Sequence, residues 1–220
     1  NINSMSLYIV PVILQTFALT SLYSSDLVLV KHFFSSHDAG IYAALSTLGK
    51  IIFFGAGPIS AVMFPLISQH QAKGYGYIRI LLYSFLVTLF FSLFILIIYW
   101  VFPEFAITLL YGKTYLEAAE LLIWFGVFIT LFTLSSLLVN YHLSLGNTRV
   151  IFLPLIAAVI QILGIWFYHG SLFSVILVSM LVTALLLSCL LIYSIRNFKI
   201  AYEKKNAFRN KFSISNSACI

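Results

Sequence analysis

Charge is scarce in this chain. Twelve Lys and Arg and six Asp and Glu make up 8% of its 220 residues, while 62% are hydrophobic. Soluble domains carry about 25% charged residues. That shortfall excludes a water-facing exterior and gives the chain the composition of an integral membrane protein. Acids are the scarcer sign. Acid–base and metal chemistry need such groups gathered at one place, yet Asp26, Asp38, Glu104, Glu117, Glu120 and Glu203 are scattered. His32, His37, His70, His142 and His169 show no metal-ligand spacing. No catalytic residue, metal or cofactor is therefore expected.

Cysteine is nearly absent too. Cys189 lies in an apolar run and Cys219 near the end, which rules out a disulfide framework. No inserted soluble domain and no internal repeat is visible. No cleavable leader pattern precedes the first apolar run. The chain begins at Asn1 rather than Met, so the expectation is that either a leading portion was removed or the chain is a piece of a longer protein.

What the chain has is long apolar runs. Six cover about 7–34, 41–68, 80–102, 121–143, 150–168 and 172–195. About 20 helical residues cross the roughly 30 Å hydrocarbon core. Lipid tolerates only helices or closed barrels, and these runs are too continuous for barrel strands. The expected class is all-α, six transmembrane helices over 1–198 and a basic tail over 199–220. The longest connector, "PEFAITLLYGKTYLEAAE", is semi-apolar and suits a short surface helix.

The basic residues set the expected orientation. Lys73, Arg79, Arg149, Arg196, Lys199, Lys204, Lys205, Arg209 and Lys211 fall on one side of a six-span chain. Lys31 and Lys113 fall on the other, with Asp38, Glu104 and Glu117. By the positive-inside rule both ends of this segment are cytoplasmic. The net charge of +6 is then topological. The tail reads as an anchor at anionic headgroups, not as a nucleic-acid site.

Two charges fall inside spans. An ammonium at mid-span costs roughly 2.5–3.5 kcal/mol, so Lys50 needs compensation. Taking Asp38 as the centre of the first outer turn, Asp26 lies twelve residues before it and Lys50 twelve after. Both then sit about 18 Å below the turn. Three readings follow: a buried ion pair that fixes register, a polar cavity in which one or both bind cargo or a coupling ion, or a Lys50 that faces lipid and snorkels to the interface. Arg149, on a connector, is a further candidate for an anionic cargo. "GAGP" in the second span offers a hinge at Gly55, Gly57 and Pro58, or a static kink. Gly57 and Ala61 have the small-xxx-small spacing of close helix contacts. Pro65 is expected to end that helix, and Pro103 and Pro154 mark boundaries or first turns.

Several segments now carry a resemblance. "DAGIYAALSTLGKIIFF" with "AVMFPLIS", then "LLYGKTYLEAAELL", then "LVNYHLSLGNTRV" resemble, in order and spacing, the carboxy-terminal half of bacterial polysaccharide exporters. These are the O-antigen or capsule repeat-unit flippases of the multidrug/oligosaccharidyl-lipid/polysaccharide superfamily. The resemblance covers about residues 20–195. It implies one six-helix lobe of a twelve-helix, two-lobe transporter in the bacterial inner membrane. It implies an undecaprenyl-diphosphate-linked oligosaccharide as cargo, with an amino-terminal half, membrane lipids and polysaccharide assembly proteins as partners. Lys50 would then line a cationic cavity and attract the diphosphate, and Asp26 would match an acidic position of this lobe. A cation-coupled exporter of another cargo, a membrane enzyme such as a repeat-unit polymerase, and a structural subunit are the competing readings.

Overall fold

The computed structural model describes the backbone of residues 2–217 and the side chains of residues 9–197. The described chain is helical, without strands. Seven α-helices follow in order: α1 Ile2–Phe33, α2 Ser36–Ala72, α3 Ile78–Val101, α4 Pro103–Tyr111, α5 Ala119–Ser144, α6 Phe152–Phe167 and α7 Leu172–Ser217. Six are long and apolar enough to cross a membrane; α4 is the short exception. The chain is a multi-pass membrane protein. Lipid forces this outcome, because each backbone N–H and C=O must find its partner within the helix.

Six membrane-length helices were expected and six are present, and where their ends differ from the apolar runs the causes are local. The α1–α2 turn is only Phe34 and Ser35, so α2 starts at Ser36 rather than near Ile41. Ser35 caps α2: its hydroxyl accepts the Asp38 N–H at 3.2 Å and donates to the Asp38 carboxylate at 2.8 Å. "SSHD" is thus a capping-box variant with Asp at the third helical position. At the other end, α2 continues through Pro65 to Ala72, where a proline stop was expected. Its 37 residues extend about 55 Å, well beyond the hydrocarbon core.

Glycine ends both α2 and α5. Gly74 and Gly146 hold φ of 71° and 72°, the left-handed region. At each, the glycine N–H and the next N–H bond back to the last turn: Gly74 to Gln71 and Tyr75 to His70, Gly146 to Leu143 and Asn147 to His142. These are Schellman closures, which satisfy carbonyls that would otherwise be orphaned. Pro103 opens α4 and Pro154 lies in the first turn of α6. The expected surface helix is α4, followed by a 3₁₀ stretch at Lys113–Ala118.

The fold is built around α5. In its most apolar window 78% of residues are buried, against 17% to 39% in the other spans. It packs on α2, α3 and α7, while α1 packs mainly on α6 and α2. Gly49 of α2 lets the α5 aromatics approach: a Cβ there would stand 2.5 Å from the Phe125 ring and 3.0 Å from Ile129. Large apolar side chains such as Phe17, Phe54, Phe90 and Phe94 stay exposed on the rim. A patch of that size suits acyl chains, not water.

The two ends of the bundle differ. At one, His37 meets Glu117 at 3.4 Å and Phe33 stacks on His169 at 4.0 Å. Lys31, Asp38, Glu104, Lys113, Glu117 and Glu120 belong to this end. At the other, Ser68 donates to the Ser144 carbonyl at 2.9 Å and Gln71 to that of Leu145 at 3.3 Å. Lys73, Arg79, Arg149 and Arg196 belong here. The charge asymmetry read from the sequence is therefore a spatial one. The side chains of Lys199, Lys204, Lys205, Arg209 and Lys211 lie outside the described residues, while α7 itself runs on to Ser217.

Candidate functional site

One face of α2 carries Lys50, Phe53, Gly57, Ser60, Ala61 and Phe64, a repeat of three and four residues. Lys50 is half-buried, and its Nζ sits 5.2 Å from the centroid of the Tyr23 ring on α1. That distance is a cation–π contact. Tyr23 packs on Phe53 and Phe132, with ring centroids 5.5 Å and 5.6 Å away. The ammonium thus rests on an aromatic floor contributed by α1, α2 and α5.

Asp26 lies near enough for its charge and that of Lys50 to act on each other, but the two form no salt bridge. Among the described residues the ion pair present is His37–Glu117, and none joins Asp26 to Lys50. The Asp26 carboxylate is fully buried. It accepts the Tyr42 hydroxyl at 2.8 Å and the Leu27 N–H at 2.8 Å. The buried ion pair is corrected to a buried tyrosine–aspartate clasp between α1 and α2. The reason is the turn. With α1 ending at Phe33 and α2 starting at Ser36, Asp26 is seven residues below the turn and Lys50 fourteen. A difference of about seven residues is roughly 10 Å of depth. Tyr42, six residues into α2, lies level with Asp26 instead.

Farther along the same face of α2 a groove opens toward α5, with a cavity volume of about 450 Å³. Phe53, Gly57, Ser60, Ala61, Phe64, Pro65, Ser136 and Asn140 line it. A hydrogen-bond chain ties three helices together beside it. Gln15 Nε2 of α1 donates to Asn140 Oδ1 at 2.7 Å, and Asn140 Nδ2 donates to Ser60 Oγ of α2 at 3.0 Å. Gly57 and Ala61 were expected to touch a neighbouring helix. They are exposed on the groove wall instead, and a Cβ at Gly57 would meet nothing within 4 Å.

The hinge candidates stand apart from one another. Gly55 carries the Phe91 ring of α3, 2.5 Å from where a Cβ would sit, whereas Gly57 borders the groove. Pro58 is exposed within a continuous helix. Arg149 is exposed on the α5–α6 connector, whose Leu145 is bonded by Gln71. Gln71 is twenty-one residues beyond Lys50, about 30 Å along α2. The two cationic candidates are therefore not brought to one place.

Gln15, Ser60, Thr88, Ser136 and Asn140 are uncharged and scattered through separate apolar runs, so the sequence did not bring them together. A glutamine and an asparagine inside apolar runs were a usable signal. Both are costly in hydrocarbon unless paired across helices.

Comparison with known protein families matches residues 1–120 to a family described as polysaccharide biosynthesis protein. The chain belongs to this family. The match spans α1 to α4 and the start of α5, and so includes Lys50, Tyr23, Asp26, Tyr42 and the α2 wall of the groove. No curated protein and no solved structure matches the chain. Membership of a polysaccharide biosynthesis family agrees with the resemblance drawn from the sequence motifs.

Proposed function

We propose that this chain is one lobe of a flippase that moves lipid-linked oligosaccharide repeat units across the bacterial inner membrane. The cargo is an undecaprenyl-diphosphate-linked oligosaccharide. One observation carries the reading: a half-buried ammonium, Lys50, seated on Tyr23 and held in no salt bridge among the described residues. A cation kept at mid-helix without a direct salt bridge is expensive. A phosphorylated cargo makes it useful, because ammonium–phosphate contacts are strong, charge-assisted hydrogen bonds.

The polar α2 face then turns toward an amino-terminal six-helix half, and the cargo passes between the two. Both ends of this segment lie in the cytoplasm, where the end carrying Lys73, Arg79 and Arg149 meets anionic lipid. Pro58 removes one helix hydrogen bond from α2 and gives the lobe a place to bend as the path opens to one leaflet and then the other. The protein acts as a transporter rather than an enzyme, and assembles with other polysaccharide-producing proteins. A cation-coupled exporter would need a carboxylate that the groove can reach, and Asp26 is sealed beneath Tyr42.

The test is Lys50→Ala in the full-length protein. Loss of surface polysaccharide at normal membrane abundance is the expected result. Wild-type output from that variant removes the proposed role.

A further inference from the structure

The chain has other grooves between its helices, and their linings differ in kind. Leu153, Ile156, Ala157, Ile160, Val182 and Leu185 are among those lining the α6–α7 groove, where the one polar neighbour is the Cys189 thiol. Such a surface suits an acyl chain. The α2–α5 groove presents Ser60, Ser136 and Asn140 between the rings of Phe53 and Phe64. It holds no charged side chain among its lining residues.

Its hydrogen-bonding capacity is largely unused. The Ser136 hydroxyl has no hydrogen-bond partner among the described residues, and the Ser60 hydroxyl accepts from Asn140 but donates to nothing. Asn140 uses one N–H and one lone pair, and its amide retains another of each. Gln15, buried behind Asn140, has an unpartnered Oε1. Below the groove a smaller pocket of about 20 Å³ is lined by Phe53, Gly57, Ser60, Thr88, Thr133 and Ser136, among others. Thr88 of α3 is 1% exposed and its hydroxyl has no partner among the described residues. That volume accommodates one water-sized oxygen. Unpaired buried hydroxyls are costly, so this site is arranged for a ligand rich in neutral donors and acceptors.

We propose that the α2–α5 groove is a carbohydrate subsite, which takes the neutral sugar portion of the cargo. It rests on the glycolipid reading above. Ser60, Ser136 and Asn140 hydrogen-bond the sugar hydroxyls, and Thr88 holds the oxygen that reaches deepest. Phe53 and Phe64 offer their faces to the C–H side of a pyranose ring. Ser60 lies ten residues beyond Lys50, about 15 Å along α2. Diphosphate and sugar thus occupy successive stations on one helix face, bridged by Phe53.

The experiment uses the full-length protein in detergent and titrates two probes by calorimetry. One is bare undecaprenyl diphosphate; the other is the glycosylated repeat-unit lipid extracted from the producing strain. The Ser60→Ala, Ser136→Ala double variant should bind the glycosylated lipid roughly tenfold more weakly and the bare lipid as wild type does. Thr88→Val, nearly isosteric, should show the same selectivity more weakly and guards against misfolding of the double variant. Lys50→Ala should weaken both probes. Equal affinities of the groove variants and wild type for the glycosylated lipid overturn the subsite and leave the flippase reading standing. Equal loss for both probes also overturns it. Wild-type binding of both lipids by Lys50→Ala overturns the diphosphate reading alone, since the groove is judged by the difference between the probes.

Discussion

Tyr42 of α2 donates its hydroxyl to Asp26 of α1 at 2.8 Å, with both side chains fully buried. This contact sets the rotation of the two helices. It holds the acid away from the groove and leaves Lys50, two turns deeper, facing Tyr23.

Tyr42→Phe removes one of the two donors to the Asp26 carboxylate and leaves its Oδ2 unpaired, while Leu27 N–H still bonds Oδ1. An unsatisfied buried polar group costs about 1–3 kcal/mol, more when charged. The variant should unfold at lower temperature in detergent, and membrane levels should fall. Adding Asp26→Leu should recover part of the loss, because a buried polar pair is replaced by apolar contact. Thermal unfolding of the single and double variants gives the comparison. A double variant no more stable than Tyr42→Phe would contradict the clasp.

Gly49 marks the tightest α2–α5 approach. Gly49→Leu drives a side chain into Phe125 and Ile129, starting from a Cβ contact of 2.5 Å. Overpacking of this kind costs about 1–3 kcal/mol. Gly57→Ala, with nothing within 4 Å, should leave stability unchanged. Equal melting temperatures for Gly49→Leu and wild type would refute the packing.

Arg149 should be dispensable for cargo binding, since it is exposed and about 30 Å of helix away from Lys50. Arg149→Ala is expected to keep export within about twofold of wild type, a shift of under 1 kcal/mol. Surface polysaccharide output measures this. A loss as deep as that of Lys50→Ala would place Arg149 in the cargo path.

Orientation is open to direct labelling. With Cys189 and Cys219 changed to Ser, a cysteine at Thr114 should react with an impermeant maleimide from the periplasm. One at Gln71 should react only after the inner membrane is opened. The reverse pattern would invert the assignment of ends, and with it the positive-inside argument.

Much of this protein is written locally. Each run of about 20 apolar residues becomes a helix because lipid satisfies no backbone group. The span count, the charge asymmetry between ends and the solitary Lys50 were therefore legible in the sequence. Gly74 and Gly146 were legible as well, since they sit in short polar connectors where a left-handed residue closes a helix. The partner of Asp26 was not. It depended on where the α1–α2 turn fell, and the Ser35 cap moved that turn by a few residues. Along a helix such a shift is several ångströms of depth and a rotation of about 100° per residue.

The tertiary structure alone decided which helix is central and which polar residues meet. α5 is somewhat less apolar than α3 and carries Thr130, Thr133, Ser135, Ser136 and Asn140, but which neighbours enclose it is not written in that pattern. In hydrocarbon, transfer energy is the same for a leucine against lipid and a leucine against protein. Small residues and interhelical hydrogen bonds choose the neighbours instead. Gln15, Asn140 and Ser60 come together from α1, α5 and α2 because that choice aligns three faces. Their separation in sequence gave no sign of it.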